Sequence, residues 1–329
     1  MPLHLEAARL WATLADEIGE PLGVVQGGGL MLAENSAQAA LLETKAEIER
    51  SWGLDVELID GAEVREIAPY LSDSVVAAAY CLVEGKADTR TAGPAMARAA
   101  IRSGAVVKTG TAVSEIRRVG QSWLVTVSDG GNHESSTTMS AESIVLAAGV
   151  WTSELGDMIG GHLPTIPLAL TMTVTAKTDR FIPHLIQHAG ARLSLKQSHD
   201  GNVLIGGGWP ARLRTTAAGA PDFTSRPELL RASVAGNARA ATAVVPRIRS
   251  LPALRTWVGT TTVTPDQLPL VGPVPGVPGA FVATGGSAFT LGPSFARALS
   301  ELVLGRPPGI DLTPYAPSRY ERGRCVSES

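Results

Sequence analysis

The sequence predicts an α/β fold, α+β overall, in which blocks of parallel-sheet character enclose an antiparallel one. Three observations predict it. In residues 1–160, apolar positions at helical spacing alternate with short β-branched runs. Residues 168–207 read instead as successive strands separated by turn residues. From Leu254 onward, strands and a helix alternate again. With 329 residues, 44% of them hydrophobic and 18% charged, the chain holds material for one large domain or two interlocked ones.

Leu3, Leu5, Leu10, Leu14 and Ile18 recur at helical spacing before Gly19. A strand follows at 22–33, where Gly27, Gly28 and Gly29 signal a bend or a close backbone approach. Asn35 or Ser36 caps a helix reaching Trp52, and Gly53 stops it. Asp60 and Glu63 have the spacing of a capping box for a short helix ending before Pro69. Residues 75–83 are strand-like. Thr89 or Thr91 caps a small-residue helix over 92–103. Strands then read at 106–108, 112–117, 123–128 and 143–147, with a turn at Asp129, Gly130, Gly131 and Asn132. Further strands are expected at 168–176, 192–197 and 203–207, and a helix within 227–244. The last block has strands at 254–262 and 280–283 and a helix over 290–304. No internal repeat or low-complexity segment appears.

Composition excludes several classes of function. A net charge of −3 with 5% aromatic residues gives no electrostatic footprint and no stacking platform for nucleic acid. Cys81 and Cys325 are far apart and form no metal or redox pair, so a reducing, cytoplasmic setting is expected. The N-terminal stretch carries Glu6, Asp16 and Glu17 and does not read as a signal peptide. No segment approaches the roughly 20 apolar residues of a membrane span. His162, His184, His188 and His199 lack metal-ligand spacing and read as surface residues. No metal site is expected.

Three segments are candidates for chemistry. Residues 143–149 form a β-branched run ending in Ala147, Ala148 and Gly149, which lets a ligand approach the C-terminal end of a strand. The run reads equally as a buried strand with a tight turn. Gly285, Gly286, Ser287, Ala288, Phe289, Thr290, Leu291, Gly292 and Pro293 lie between a strand and a helix. That helix start offers unpaired N–H groups and a partial positive charge to an anion. The alternative is an ordinary glycine-rich loop. Residues 257–272, from Trp257 through Thr264, Pro265 and Asp266 to Gly272, read as a strand, a turn and a second short strand.

Together, these segments in this order resemble the FAD-dependent D-amino-acid-oxidase-like superfamily, which includes glycine and sarcosine oxidases. Its patterns are a VLAAGxWS strand, a WxGxxxxTPDxLPxxG segment and a GHGxxGxxxxP loop. Gly85 to Thr89 also matches a family pattern. Leu193 to Gln197, with Gly201 and residues 205–210, is similar to the β subunits of D-hydroxyproline and opine dehydrogenases. The resemblance implies an incomplete Rossmann-like FAD-binding domain (1–20, 85–160 and 254–329) interleaved with an antiparallel-sheet substrate domain (21–84 and 161–253). It is incomplete because these residues contain no GxGxxG turn for the FAD pyrophosphate. Exposed sheet edges, and hence poor solubility or oligomerisation, are expected to follow. Thr261 stands where simple oxidases often carry a carboxylate-binding arginine, and Ser287 replaces the loop histidine.

The implied activity is oxidation of an amino acid, imino acid or other secondary amine by hydride transfer to flavin N5. FAD would be the cofactor and a small amine or imino acid the substrate. Other subunits of a heteromeric dehydrogenase are candidate partners. By family position, FAD contacts fall on Val113, Ala148, Gly149, Gly285, Gly286, Phe289, Thr290, Leu291 and Gly292. Lys196 is the expected partner of the substrate carboxylate, with Arg192 second, since strand alternation places both on one face. A solvent-facing lysine on a sheet is the alternative for Lys196. The competing expectation for the whole chain is a non-catalytic remnant or interaction module unable to hold FAD.

Overall fold

The computed structural model describes residues 1–129 and 136–321. It runs α1 (Pro2–Ile18), β1 (Gly29–Ala33), α2 (Ser36–Ser51), β2 (Glu57–Asp60), α3 (Gly61–Ile67), β3 (Ala77–Cys81) and α4 (Thr89–Arg102). Then come β4 (Thr111–Val119), β5 (Ser122–Asp129), β6 (Ser136–Ala141), β7 (Ile144–Leu146), α5 (Thr152–Met158), β8 (Ile166–Lys177), β9 (Leu185–His188), β10 (Ser194–Gln197) and β11 (Asn202–Gly206). Two short strands, β12 (Arg214–Thr215) and β13 (Pro221–Asp222), precede α6 (Arg231–Val244), β14 (Ala253–Val263), β15 (Leu270–Pro273), β16 (Ala280–Thr284) and α7 (Gly292–Val303).

The chain packs as two compact units that alternate along the sequence. Unit 1 comprises Met1, Trp11–Met96 and Leu168–Thr260; unit 2 comprises Pro2–Leu10, Ala97–Pro167 and Thr261–Ser329. Most of unit 1 is an eight-stranded sheet, in the order β14-β8-β11-β10-β9-β1-β3-β2. The pairs β1–β3, β2–β3, β9–β10, β10–β11 and β8–β11 are antiparallel, and β1–β9 is parallel. One face buries Leu30, Leu32, Ile186, Leu195 and Ile205 against apolar residues of α3 and α6. At β1 and β3 the other face packs on Leu42 and Ala46 of α2. Unit 2 holds two three-stranded sheets, β15-β16-β7 and β4-β5-β6. Its core gathers Ile116, Trp123, Leu146, Leu270 and Val282.

The local signals have identifiable structural causes. Asn35 is the cap of α2, its side chain accepting from the Gln38 N–H. Asp60 and Glu63 make the reciprocal capping box. The cap of α4 is Asp88 rather than either threonine. Its carboxylate accepts from the Arg90 N–H at 2.9 Å and its carbonyl from the Ala92 N–H at 2.8 Å. The glycine cluster is a site of close approach: a Cβ on Gly28 would meet the Tyr80 ring at 2.8 Å, and one on Gly29 would overlap the Glu84 carboxylate.

Several expectations need correction. The strand expected over 22–33 is confined to Gly29–Ala33, with Val25 making only an isolated bridge to Lys86. Residues 106–108 form no strand, and Val106 is 84% exposed. A strand requires a hydrogen-bonding neighbour, and no described strand pairs there. Strand β9 went unread because Leu185–His188 is short and ends in two polar residues. His184 and His188 are buried, not surface residues. His184 Nδ1 lies 2.8 Å from the Tyr70 hydroxyl. His188 Nδ1 accepts from the N–H groups of Gly190 and Ala191, each at 2.9 Å, and its Nε2 lies 3.2 Å from Glu34 Oε2. The turn expected at 129–132 and Cys325 lie outside the described residues, apart from Asp129.

Candidate functional site

Unit 1 contains a cavity of about 580 Å³ walled by strands β10 and β11, residues 23–25 and residues 86–90. Strand alternation creates its floor. On β10, Leu195 and Gln197 turn into the core, leaving Ser194 and Lys196 half-buried on the other face. Gln197 is fully hydrogen-bonded. Its Oε1 accepts from the N–H groups of Phe181 and Ile182, and its Nε2 donates to the carbonyls of Asp179 and Gly201. That buried amide fixes the loop carrying Arg180 into the cavity wall.

The wall is strongly cationic. Lys86, Arg90, Arg180, Lys196 and Arg255 line it, and Asp88 is its one acidic residue. Asp88 is already engaged: Arg90 Nη2 lies 3.0 Å from its Oδ2 and also 3.3 Å from Asp200. The Arg90 hydrogen bond accordingly holds the Asp88 carboxyl below its ordinary value. Lys196 Nζ donates to the Ala87 carbonyl at 2.9 Å, and Lys86 Nζ to that of Pro183 at 3.0 Å. Burial pushes both ammonium groups down. Lys86 falls to about 8, with the charges of Arg180 and Lys196 adding to the burial effect. Arg180 meets His199 Nδ1 at 3.1 Å. Among the described residues, no carboxylate lies within ion-pair distance of Lys86, Arg180 or Lys196.

Lys196 therefore lines the cavity and Arg192 does not. Arg192 precedes β10, is exposed, and donates to the Gly208 carbonyl at 3.3 Å. Sequence reasoning missed Lys86 and Arg180. Lys86 sits beside a matched motif, but only the Val25 bridge and the Gln197-bound loop bring the two residues to Lys196. Trp209 is not a cavity wall. Its ring covers Gly236 of α6, and its Nε1 donates to the Arg192 carbonyl at 2.8 Å.

Unit 2 gathers most of the residues expected to meet a cofactor. Strands β7 and β16 run parallel, with Val282 opposite Leu146. Ala148 and Gly149 leave the end of β7, and Gly285 and Gly286 leave the same end of β16, the edge at which open α/β sheets bind ligands. Gly285 has φ +121°, and a Cβ on it would meet Pro269 Cα at 2.9 Å, so only glycine fits. Phe289 and Thr290 are exposed in the loop, whereas Leu291 is buried as the N-cap of α7 and gives no side-chain cap. Gly292 opens the helix with nothing within 4 Å of its Cβ position. Val113 lies apart from this loop, on β4 of the other small sheet.

These residues fit the negative edge of a reduced flavin: an open backbone precedes a helix amino end without a side-chain cap. At the root of the loop, the buried hydroxyl of Thr284 has no hydrogen-bond partner, nor has that of Thr152 after Gly149. Each is a polar group whose pairing a ligand can complete. No residue present has the GxGxxG spacing, and none is assigned to the pyrophosphate.

The Thr264–Asp266 segment is structural. Asp266 accepts from Arg319 Nε at 2.7 Å and Nη2 at 3.1 Å, and from the Leu268 N–H at 3.1 Å; Thr264 donates to it at 3.0 Å. Burial pushes the Asp266 carboxyl up, but the bonds from Arg319, Tyr320 and Thr264 outweigh it and hold the group well below the usual range.

Human mitochondrial dimethylglycine dehydrogenase is 28% identical over 97% of this chain and 38% of its own length. Glycine oxidase of Geobacillus kaustophilus is 27% identical over 97% of this chain and 82% of its own. The chain thus spans well under half of the first relative. Among solved structures, L-proline dehydrogenase from P. horikoshii shares the fold with a TM-score of 0.86 at 23% identity, covering 98% of this chain and 83% of that one. Residues 1–302 match the family described as DAO, FAD dependent oxidoreductase, and the chain belongs to that family.

Proposed function

We propose that the chain carries out, or forms part of a protein that carries out, FAD-dependent oxidation of a small amine bearing a carboxylate: an amino acid, imino acid or secondary amine. The observation that carries this reading is the cavity of unit 1, where Lys86, Arg180 and Lys196 face solvent space without a carboxylate partner. An anionic substrate supplies the missing charge. Lys196, held by the Ala87 carbonyl through one of its three donors, keeps two for a carboxylate.

When bound, a flavin would supply the two-electron acceptor for oxidising the carbon next to nitrogen. The chain's own residues have simpler tasks. Lys196 and its neighbours bind and orient the carboxylate. The glycines at 285, 286 and 292 let backbone approach the cofactor, and the amino end of α7 favours negative charge on it. A substrate arriving as the neutral amine requires no general base.

The test is spectroscopic. Purified chain mixed with FAD should retain flavin through gel filtration, and a carboxylate-bearing amine should bleach it under anaerobic conditions. Complete separation of flavin from protein rules out this function for the chain.

A further inference from the structure

The surroundings of Lys86 disfavour its charged form. Its backbone exchanges two hydrogen bonds with Val25, at 2.8 and 2.9 Å, and its Nζ donates to the Pro183 carbonyl at 3.0 Å. The side chain is half-buried and lines the cavity of unit 1. Lys196 is its neighbour there, bonded to the carbonyl of Ala87, the residue after Lys86. Arg180, which is exposed, lines the same cavity. Asp88 is engaged by Arg90 and forms no ion pair with Lys86. His184, which also feels the Lys86 charge, is itself held toward its neutral form by burial and by that charge. Burial and two like-charged neighbours thus favour the neutral amine, the form that attacks a carbonyl carbon. With the ammonium falling to about 8, about one chain in ten carries that amine at pH 7, against about one in three thousand at the ordinary lysine value of 10.5.

We propose that Lys86 is a covalent carbonyl-binding site, condensing with a 2-oxo acid whose carboxylate is held by Lys196. The lone pair of Nζ adds to the carbonyl carbon, and the carbonyl oxygen leaves as water with the two N–H protons of the amine. A C=N bond then joins Nζ to the ligand; neither partner is oxidised or reduced, and no cofactor takes part. The bond to Pro183 uses one N–H of the neutral amine and leaves its lone pair free. Lys196 keeps two donors for the carboxylate after the bond to Ala87. A 2-oxo acid fits this pair of lysines because its carbonyl and carboxylate are adjacent. The inference goes beyond the oxidation proposed above, since it requires no flavin and concerns a different reaction.

Reductive trapping on the full chain tests this. The chain is incubated at pH 7 with pyruvate and cyanoborohydride, which reduces an imine to a stable secondary amine, and the labelled lysines are located by peptide mass mapping. Lys86 should be labelled at least about tenfold faster than the exposed Lys108 and Lys177. The ratio of Lys86 to Lys108 labelling should fall as pH rises above about 8, where Lys86 is already neutral and Lys108 is still losing its proton. Pyruvamide, with the same ketone and no charge, should require about tenfold higher concentration for the same rate, and Lys196→Met should remove that difference. Lys86→Arg, which keeps the positive charge, should lose the adduct; if it does not fold, as judged by circular dichroism, the peptide map of the native chain carries the test. Labelling of Lys86 no faster than of Lys108, trapping at Lys196 instead, or equal reactivity of pyruvate and pyruvamide overturns the inference. Flavin takes no part in the assay, so its outcome is separate from that of the oxidation proposed above.

Discussion

Replacing Lys196 by Met tests the assignment of the substrate carboxylate. Met preserves the unbranched stem that lies along the sheet and removes only the ammonium. Two interactions disappear. The first is the 2.9 Å bond to the Ala87 carbonyl, whose loss lowers folding stability by about 1 kcal/mol. The second is the contact with the bound carboxylate. A hydrogen bond to a charged group contributes about 1.5–3 kcal/mol, and the half-exposed setting of Lys196 points to the lower end because solvent screens it. The dissociation constant should therefore rise about tenfold. Since the carboxylate is held alike before and during hydride transfer, KM should carry the change and kcat should stay nearly constant. The assay is anaerobic flavin reduction at varied substrate concentration, beside a matched amine lacking the carboxylate. If kcat falls with KM unchanged, or if both amines weaken equally, Lys196 does not bind the carboxylate.

Three further outcomes follow from the structure. Lys86 titrates at about 8, its charge being present below that pH and lost above it. Affinity for diglycolate, a dicarboxylate with no amine to titrate, should therefore decline as pH rises through about 8. Calorimetric titrations should show this decline in the native chain and a weaker one in Lys86→Met, where the lowered Lys196 ammonium remains. Gly207 has φ +119°, and an added Cβ would overlap the backbone of Arg192 and Leu193. Gly207→Ala should lower the urea midpoint by an amount equivalent to about 2 kcal/mol or more, whereas an unchanged midpoint would mean that β11 ends differently. Asp266→Asn weakens the Arg319 clamp. Because the folded carboxyl is held below its ordinary value, its stabilisation is present above the unfolded value near ~3.9 and is lost as pH falls further. The stability gap between native and variant chains should be constant near neutrality and shrink in acid, while ligand affinity should not change.

The sequence showed the antiparallel block and the helix following the Gly285 loop because both rest on local signals: alternation, turn residues, and Pro293 at a helix start. It also placed Lys196 on the face of β10 opposite Leu195 and Gln197. Lys86 and Arg180 were not legible, because each reaches the cavity only through long-range pairings, the Val25 bridge in one case and the Gln197 amide in the other. Arg192 differs because β10 begins only at Ser194, so strand alternation does not reach it. The histidines were misread for a related reason. His184 is paired through Tyr70, and His188 through a turn and Glu34, so each is buried by partners that spacing does not reveal.

Reduction of a flavin by an anionic amine held at Lys196 is the core of the proposed function. The decisive measurement is the anaerobic visible spectrum of FAD-loaded chain, native and Lys196→Met, titrated with a carboxylate-bearing secondary amine. Bleaching of the flavin is expected in both proteins, with the midpoint of the variant displaced about tenfold to higher substrate. Bleaching at the same concentration in both, or no bleaching in either, contradicts it.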